Sequence, residues 1–150
     1  MYLSEQATPQ PELKRSEALN KACRDHVLDI GPSGGFVHDG KDGSTPESRA
    51  QKYISGGSSK VENLAFIDER SGLSAEPESV ISQMIINDGE LDRDTRKNVL
   101  SQEFTHIGIA CGCHSVIGEV CCFAYGKDIN DGNQSPSQPL YDVPKEQCNA

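Results

Sequence analysis

The chain has 150 residues and no Trp, and hydrophobic residues make up only 35% of it. That content is lean but still globular, which excludes a wholly disordered chain. No run of Lys and Arg exists, and 14 basic against 23 acidic residues leave a net charge of −9. A nucleic-acid partner is excluded, because phosphate binding needs a basic face. Electrostatic docking on anionic membranes is disfavoured for the same reason. No apolar run approaches the roughly eighteen residues of a membrane-spanning helix. Met1 to Gln10 lacks a charged start followed by an apolar stretch, so no signal peptide is legible there. Six cysteines stand against these absences. They point either to disulfides in an oxidising compartment or to thiol and metal chemistry inside a cell.

The length suits one domain. Residues 1–12 read as a flexible lead-in, 13–128 as the folded domain, and 129–150 as a disordered polar tail of Asn, Gly, Ser, Pro and Gln. From Ser16, the residues Leu19, Ala22, Cys23, His26, Val27 and Ile30 recur at helical spacing, and Gly31-Pro32 is expected to end that helix. Ser33 to Thr45 is a Gly/Ser/Asp loop containing His38, and Pro46 to Ile54 fits a short helix. Val61 to Ile67 reads as extended chain. Ala75 to Asp88 reads as a helix with Val80, Ile81, Met84 and Ile85 on its buried stripe. A charged short helix over Arg93–Leu100 precedes two strands, Thr105–Cys111 and Gly118–Tyr125, joined as a hairpin.

Several of these pieces share an order and spacing with one family. Arg93-Asp94-Thr95-Arg96-Lys97-Asn98-Val99-Leu100 followed by Phe104-Thr105-His106-Ile107-Gly108-Ile109 resembles the pattern G-H-R-x-N-I-L-x-x-x-F-x-x-I-G-I-G. Glu62-Asn63-Leu64 resembles its E-N-[IL] motif, His38-Asp39-Gly40 its first His, Asp88-Gly89 its D-D-G, and Cys111-Gly112 with Cys121 its C-G-x-H…C hairpin. Over Leu13 to Tyr125 the chain thus resembles the CAP superfamily, or SCP domains: cysteine-rich secretory, antigen 5 and pathogenesis-related 1 proteins, in a microbial or protist-like form. The resemblance implies an α+β fold, a three-layer α-β-α sandwich, here lacking the first helix. It also implies a secreted, extracellular protein whose cleft of two His and two acidic residues binds a divalent cation (zinc or magnesium) in several members. Members bind lipids or sterols and act as ligands or defence proteins, which makes a lipid, a sterol or a protein the expected partner here.

On this reading His38, Glu62 and Asp88 are the candidate metal ligands, and each has a plainer alternative. His38 is either a cleft ligand or a solvated loop imidazole. Glu62, entering an apolar strand, needs a partner whether that is a metal or neighbouring backbone groups. Asp88 sits where a helix dipole disfavours an anion, which calls for a compensating cation, or it is only a turn residue before Gly89. Thr95 stands where the family has its second His, and a hydroxyl is a poor zinc ligand. Weak or absent metal affinity is the expectation, with no catalytic residue and no certain cofactor. A hydrolase using His38 as base is the alternative of another class, but no nucleophile elbow surrounds Ser44.

A hairpin centred near Val116 sets Cys111 opposite Cys121, as a cross-strand disulfide requires, with Cys113 on the face of Cys111 and Cys122 on the other. Cys23 reads as a small apolar core residue and Cys148 as a free thiol in the tail. A metal knuckle from Cys111, Cys113, His114 and Cys121 is the competing reading, although its spacing departs from the usual C-x2-C pairs. Truncation of a longer gene product would account together for the missing helix and the missing signal.

Overall fold

The computed structural model describes residues 9–68, 70, 76–86, 94–134 and 148. Four strands form one sheet: β1 (Lys14–Arg15), β2 (Gly56–Asp68), β3 (His106–His114) and β4 (Gly118–Asn130). Their order is β1-β3-β4-β2, with β1 parallel to β3 and the other two pairings antiparallel. Helices α1 (Glu17–Ser33) and α2 (Pro46–Gln51) belong to one layer, and α3 (Pro77–Ile86) and α4 (Asp94–Leu100) to the other. The result is the mixed α+β, α-β-α arrangement implied by the resemblance. A helix ahead of Pro11 would involve residues 1–8, which lie outside the described residues.

Alternation along the strands sorts the core into two halves. Cys122, Ala124 and Val120 of β4 face Leu19, Cys23, Val27 and Ile30 of α1. Cys121, Phe123 and Tyr125 face the other way, where they pack with Ala65 and Ile67 of β2 and Val80 and Met84 of α3. Helix α1 begins at Ser16, whose hydroxyl accepts the Leu19 amide. It runs three residues beyond the expected end at Ile30, to a left-handed cap at Gly34 with φ 74°. Gly31 serves packing instead: a Cβ there would stand 2.3 Å from the Cys113 carbonyl oxygen. Pro32 falls in the last turn, where its missing N–H removes one ladder bond and does not break the helix.

The strands also run longer than the apolar patterns suggest. β4 continues through Ile129, which is buried in the core, and Asn130, past the expected domain end at 128. Asp131 then returns to the start of α1, where its carboxylate accepts from the Ser16 hydroxyl (2.5 Å) and the Glu17 and Ala18 amides (3.0 and 3.3 Å). An anion at this end complements the helix dipole and fills its unpaired donors. Residues 135–147 of the expected tail lie outside the described residues.

All six cysteines are paired. Cys111–Cys121 joins directly opposed residues of β3 and β4, as the hairpin arithmetic anticipates. Two expectations are corrected. Cys23 bonds to Cys122, tying α1 to the central strand, and Cys148 bonds to Cys113. A helix stripe and a strand face become neighbours only once the layers pack, so periodicity marks Cys23 as buried without revealing its partner. Cys113 packs in the α1-side cluster together with Cys148, while its pairing opposite Glu119 continues the regular β3–β4 ladder.

Helix α1 crosses β3 at Gly108 at the separation of two bare backbones. A Cβ on Gly108 would stand 2.2 Å from the Leu19 carbonyl carbon and 2.4 Å from the Asn20 nitrogen. Beside it the Asn20 side chain accepts the Ile109 amide at 2.8 Å, a donor that two-residue β1, paired only with His106 and Ile107, leaves open. Gly108→Ala is therefore expected to cost about 1–3 kcal/mol through overpacking. Urea unfolding measures it, and an unchanged midpoint would show that α1 does not approach β3 this closely.

Candidate functional site

Glu62 stands on edge strand β2 with its side chain only 3% exposed. A carboxylate so placed must be paired. Its Oε1 receives the Arg49 Nη2 at 2.9 Å, and the Arg49 side chain is also 3% exposed. Arg49 comes from α2, a short helix fixed by a reciprocal Thr45–Ser48 capping box with Pro46 in its first turn. Its remaining donors reach the chain ahead of the helix: Nη2 bonds the His38 carbonyl (2.8 Å), and Nη1 bonds the Ser44 carbonyl and hydroxyl (3.1 and 3.2 Å). One buried guanidinium thus holds both the acid and the loop that covers it.

His38 meets Glu62: its Nδ1 donates to Oε1 at 3.1 Å while 57% of the side chain stays exposed. His26, on the buried stripe of α1, approaches from the other side. Its Nε2 donates to the Val37 carbonyl at 2.8 Å and lies 3.6 Å from Glu62 Oε1, while Nδ1 is buried with no hydrogen-bond partner. The second carboxylate oxygen lies 3.3 Å from Cys122 Sγ, a disulfide sulfur with no proton to donate. His26, Arg49 and Ser44 also border a cavity of about 350 Å³ whose walls carry Asp25, Asp29, Lys41 and Lys52.

The two imidazoles respond oppositely to this environment. The bond to Glu62 holds the His38 pKa above its ordinary value, against partial burial and the Arg49 charge. Burial lowers the His26 pKa, and Glu62 does not offset burial and the Arg49 charge together, so its contact with Glu62 is not an ion pair near neutrality. By linkage, His38 contributes stability that is complete below its unfolded pKa of about 6.5 and is lost as pH rises through the folded value. His26 acts in reverse: stability falls as pH drops below about 6.5 toward its lowered folded value, because only the unfolded chain readily takes the proton.

Thr95 does not share this arrangement. Its carbonyl, on α4, accepts from the Asn63 Nδ2 at 3.1 Å, and Asn63 faces the side of β2 opposite Glu62. The Asn63 amide also reaches the Tyr125 hydroxyl (3.1 Å) and accepts from Asn98 Nδ2 (2.9 Å). Arg96 donates to the Ile85 and Ile86 carbonyls at the end of α3, where a cation suits the helix dipole. The E-N-L and R-x-N pieces of the sequence therefore meet in space. Asp88 lies outside the described residues. The competing knuckle does not assemble, since both His114 nitrogens are engaged, Nε2 by the Gly35 carbonyl (2.8 Å) and Nδ1 by the Val116 and Ile117 amides (3.3 and 3.4 Å). Sequence reasoning overlooked Arg49. The available signal was a carboxylate in an apolar strand, whose need for a partner pointed to the basic residue of the adjacent short helix.

Glu62→Gln leaves the Arg49 guanidinium buried without its countercharge, and a loss of about 3–5 kcal/mol is expected in denaturant unfolding. In the same variant the His38 imidazole, followed by NMR titration, should return toward its ordinary pKa. A titration that does not move would refute the Glu62 bond as the cause of its shift.

Sequence and structure comparisons agree with this architecture. The profile of the cysteine-rich secretory protein family, CAP, matches residues 6–125. No curated protein sequence matches the chain. Among solved structures, the chain is similar to an outer surface protein from Borrelia burgdorferi, with a TM-score of 0.62 and 18% identity over 79% of each chain. At that identity the likeness speaks for the fold alone. The family profile spans most of the chain, including the strand that carries Glu62 and the loop that carries His38, and on that ground the chain belongs to the CAP family.

Proposed function

We propose that this chain is an extracellular, non-enzymatic CAP-domain protein that binds a lipid or sterol at the loop carrying His38. The observation that carries this reading is one exposed strip: Phe36 and Val37 are 52% and 55% exposed and directly precede the exposed His38. Two apolar side chains beside an imidazole suit an amphiphile, with the rings and methyls on its hydrocarbon and the imidazole on its polar head. The strip is held from beneath, because Val37 offers its carbonyl to His26 and His38 offers its own to Arg49. Phe36 also packs on Phe66 and His114, with ring centroids 4.8 and 4.7 Å away. Such preorganisation lowers the ordering cost of binding. Three disulfides fit an oxidising exterior, as does the outer surface protein that shares the fold. Among the described residues, no helix is long and apolar enough to cross a membrane.

The residues at Glu62 do not fit a divalent cation. Arg49 already supplies a positive charge on Oε1, His38 shares that oxygen through its protonated nitrogen, and Thr95 lies with Asn63 on the opposite face of β2. A hydrolase finds equally little support. Among the described residues no hydroxyl is hydrogen-bonded to His38, and the Ser44 oxygen is engaged by Arg49.

Two measurements test this reading. The chain should co-sediment with phosphatidylcholine vesicles, more strongly when they contain sterol, and Phe36→Ser with Val37→Ser should reduce binding by about tenfold or more given the apolar area removed. Failure to sediment with either vesicle would overturn the lipid reading and leave a protein as the occupant of this loop. Zinc titrated into the oxidised chain should give no stoichiometric heat. Tight binding abolished by His38→Ala would show that the Glu62 cluster is a metal centre.

A further inference from the structure

The geometry points to a second, separate site: Cys111, Glu119 and Cys121 form a zinc site once the disulfide between the two cysteines is reduced. Cys111 and Cys121 are direct cross-strand partners, so both sulfurs project from the same face of the β3–β4 hairpin. Glu119 precedes Cys121 by two residues on β4 and projects from that face as well. A carboxylate oxygen of Glu119 and the two sulfurs all lie within 4.8 Å of one another. A tetrahedral zinc with its ligands at about 2.0–2.3 Å sets those ligands roughly 3.5–4 Å apart, so small side-chain rotations complete the cage after the sulfurs separate. Cys111 and Glu119 are half-buried and Cys121 is buried, which gives the ion a way in and leaves its fourth position to water. Two thiolates select zinc over magnesium or calcium.

The other two disulfides lack this combination. Cys23 and Cys122 are closed off in the core, and the carboxylate beside Cys122, Glu62, already holds Arg49. Cys113 adjoins His114 in sequence, whose two nitrogens are committed to backbone groups. The Glu62 cluster lies on the α1 side of the sheet, whereas Cys111 and Cys121 pack with the α3-side cluster. The two sites are therefore independent.

The chemistry balances with a dithiol as reductant. The S–S bond accepts two electrons and two protons, the dithiol becomes its own disulfide, and zinc then displaces the two thiol protons from Cys111 and Cys121. An oxidised chain holds the strands together covalently at this point, and a reduced one through the metal.

The test is titration of zinc, and of cobalt as its spectroscopic substitute, into the full chain kept reduced by a phosphine. One equivalent should bind with a thiolate-to-cobalt charge-transfer band, and the oxidised chain should show neither. Cys121→Ser should abolish the band, Glu119→Gln should weaken binding by about tenfold or more, and Cys113→Ser with Cys148→Ser should leave it intact. A chain merely unfolded by reduction would bind zinc through any of its thiols regardless of Glu119. Equal affinity in Glu119→Gln, loss of binding in the Cys113/Cys148 variant, or binding to the oxidised chain would each overturn the proposal. Circular dichroism of Glu119→Gln, recorded under the same reducing conditions, confirms that any loss arises in a folded chain.

Discussion

The buried pair of Glu62 and Arg49 is the constraint on which the site depends. A carboxylate and a guanidinium removed from water each cost several kcal/mol, and their attraction offsets this only with close geometry and with the remaining donors filled. The chain meets both conditions. Arg49 bonds Glu62 at 2.9 Å and directs its other donors to the His38 carbonyl and to Ser44. Those bonds determine the path of the loop between α1 and α2. They turn the His38 imidazole toward solvent while keeping its Nδ1 on the acid, and they bring the Val37 carbonyl over His26. Phe36 and Val37 are exposed because the backbone beside them is held, not because the loop lacks structure.

Adjacent residues of β2 divide the work of joining the layers. Glu62 faces α1 and α2, and Asn63 faces α3 and α4, where it bonds Thr95, Asn98 and Tyr125. One dipeptide on an edge strand therefore anchors the polar contacts of both helical layers. An apolar residue at either position would leave a buried partner without its counterpart, and that penalty exceeds the modest net value of the bond itself. The disulfides reinforce the same joints. Cys23–Cys122 ties α1 to β4 across 99 residues, so it closes a long loop in the unfolded chain.

Charge explains why the Glu62 cluster and the Cys111–Cys121 hairpin differ in character. At Glu62 the carboxylate is neutralised from within by a guanidinium and bonded by an imidazole nitrogen, which leaves little negative field for an added cation. At the hairpin the cysteines are neutral while bonded to each other, and the Glu119 carboxylate stands with them on one face. Reduction would add ionisable thiols there, whereas a thiol freed at Cys122 would meet a carboxylate already paired with Arg49.

Much was legible in the sequence because periodicity, capping and turn chemistry are local. The stripe from Leu19 to Ile30, Pro46 opening a short helix and the opposition of Cys111 and Cys121 across a short turn all follow from local sequence signals. Ordered motifs extended that reading to the family, and the resemblance names His38 and Glu62 together as candidate residues of one cleft. Helix and strand ends were less legible. Gly31 serves a contact with β3 and not a cap, and β4 outlasts its apolar pattern because Ile129 still reaches the core. The tertiary structure alone decided that Glu62 is held by Arg49 with His26 beside it, that Thr95 joins Asn63 on the opposite face, and that Cys23 and Cys148 have partners. Those outcomes depend on which surfaces meet when layers pack, and a one-dimensional spacing carries no information about contacts between residues tens of positions apart.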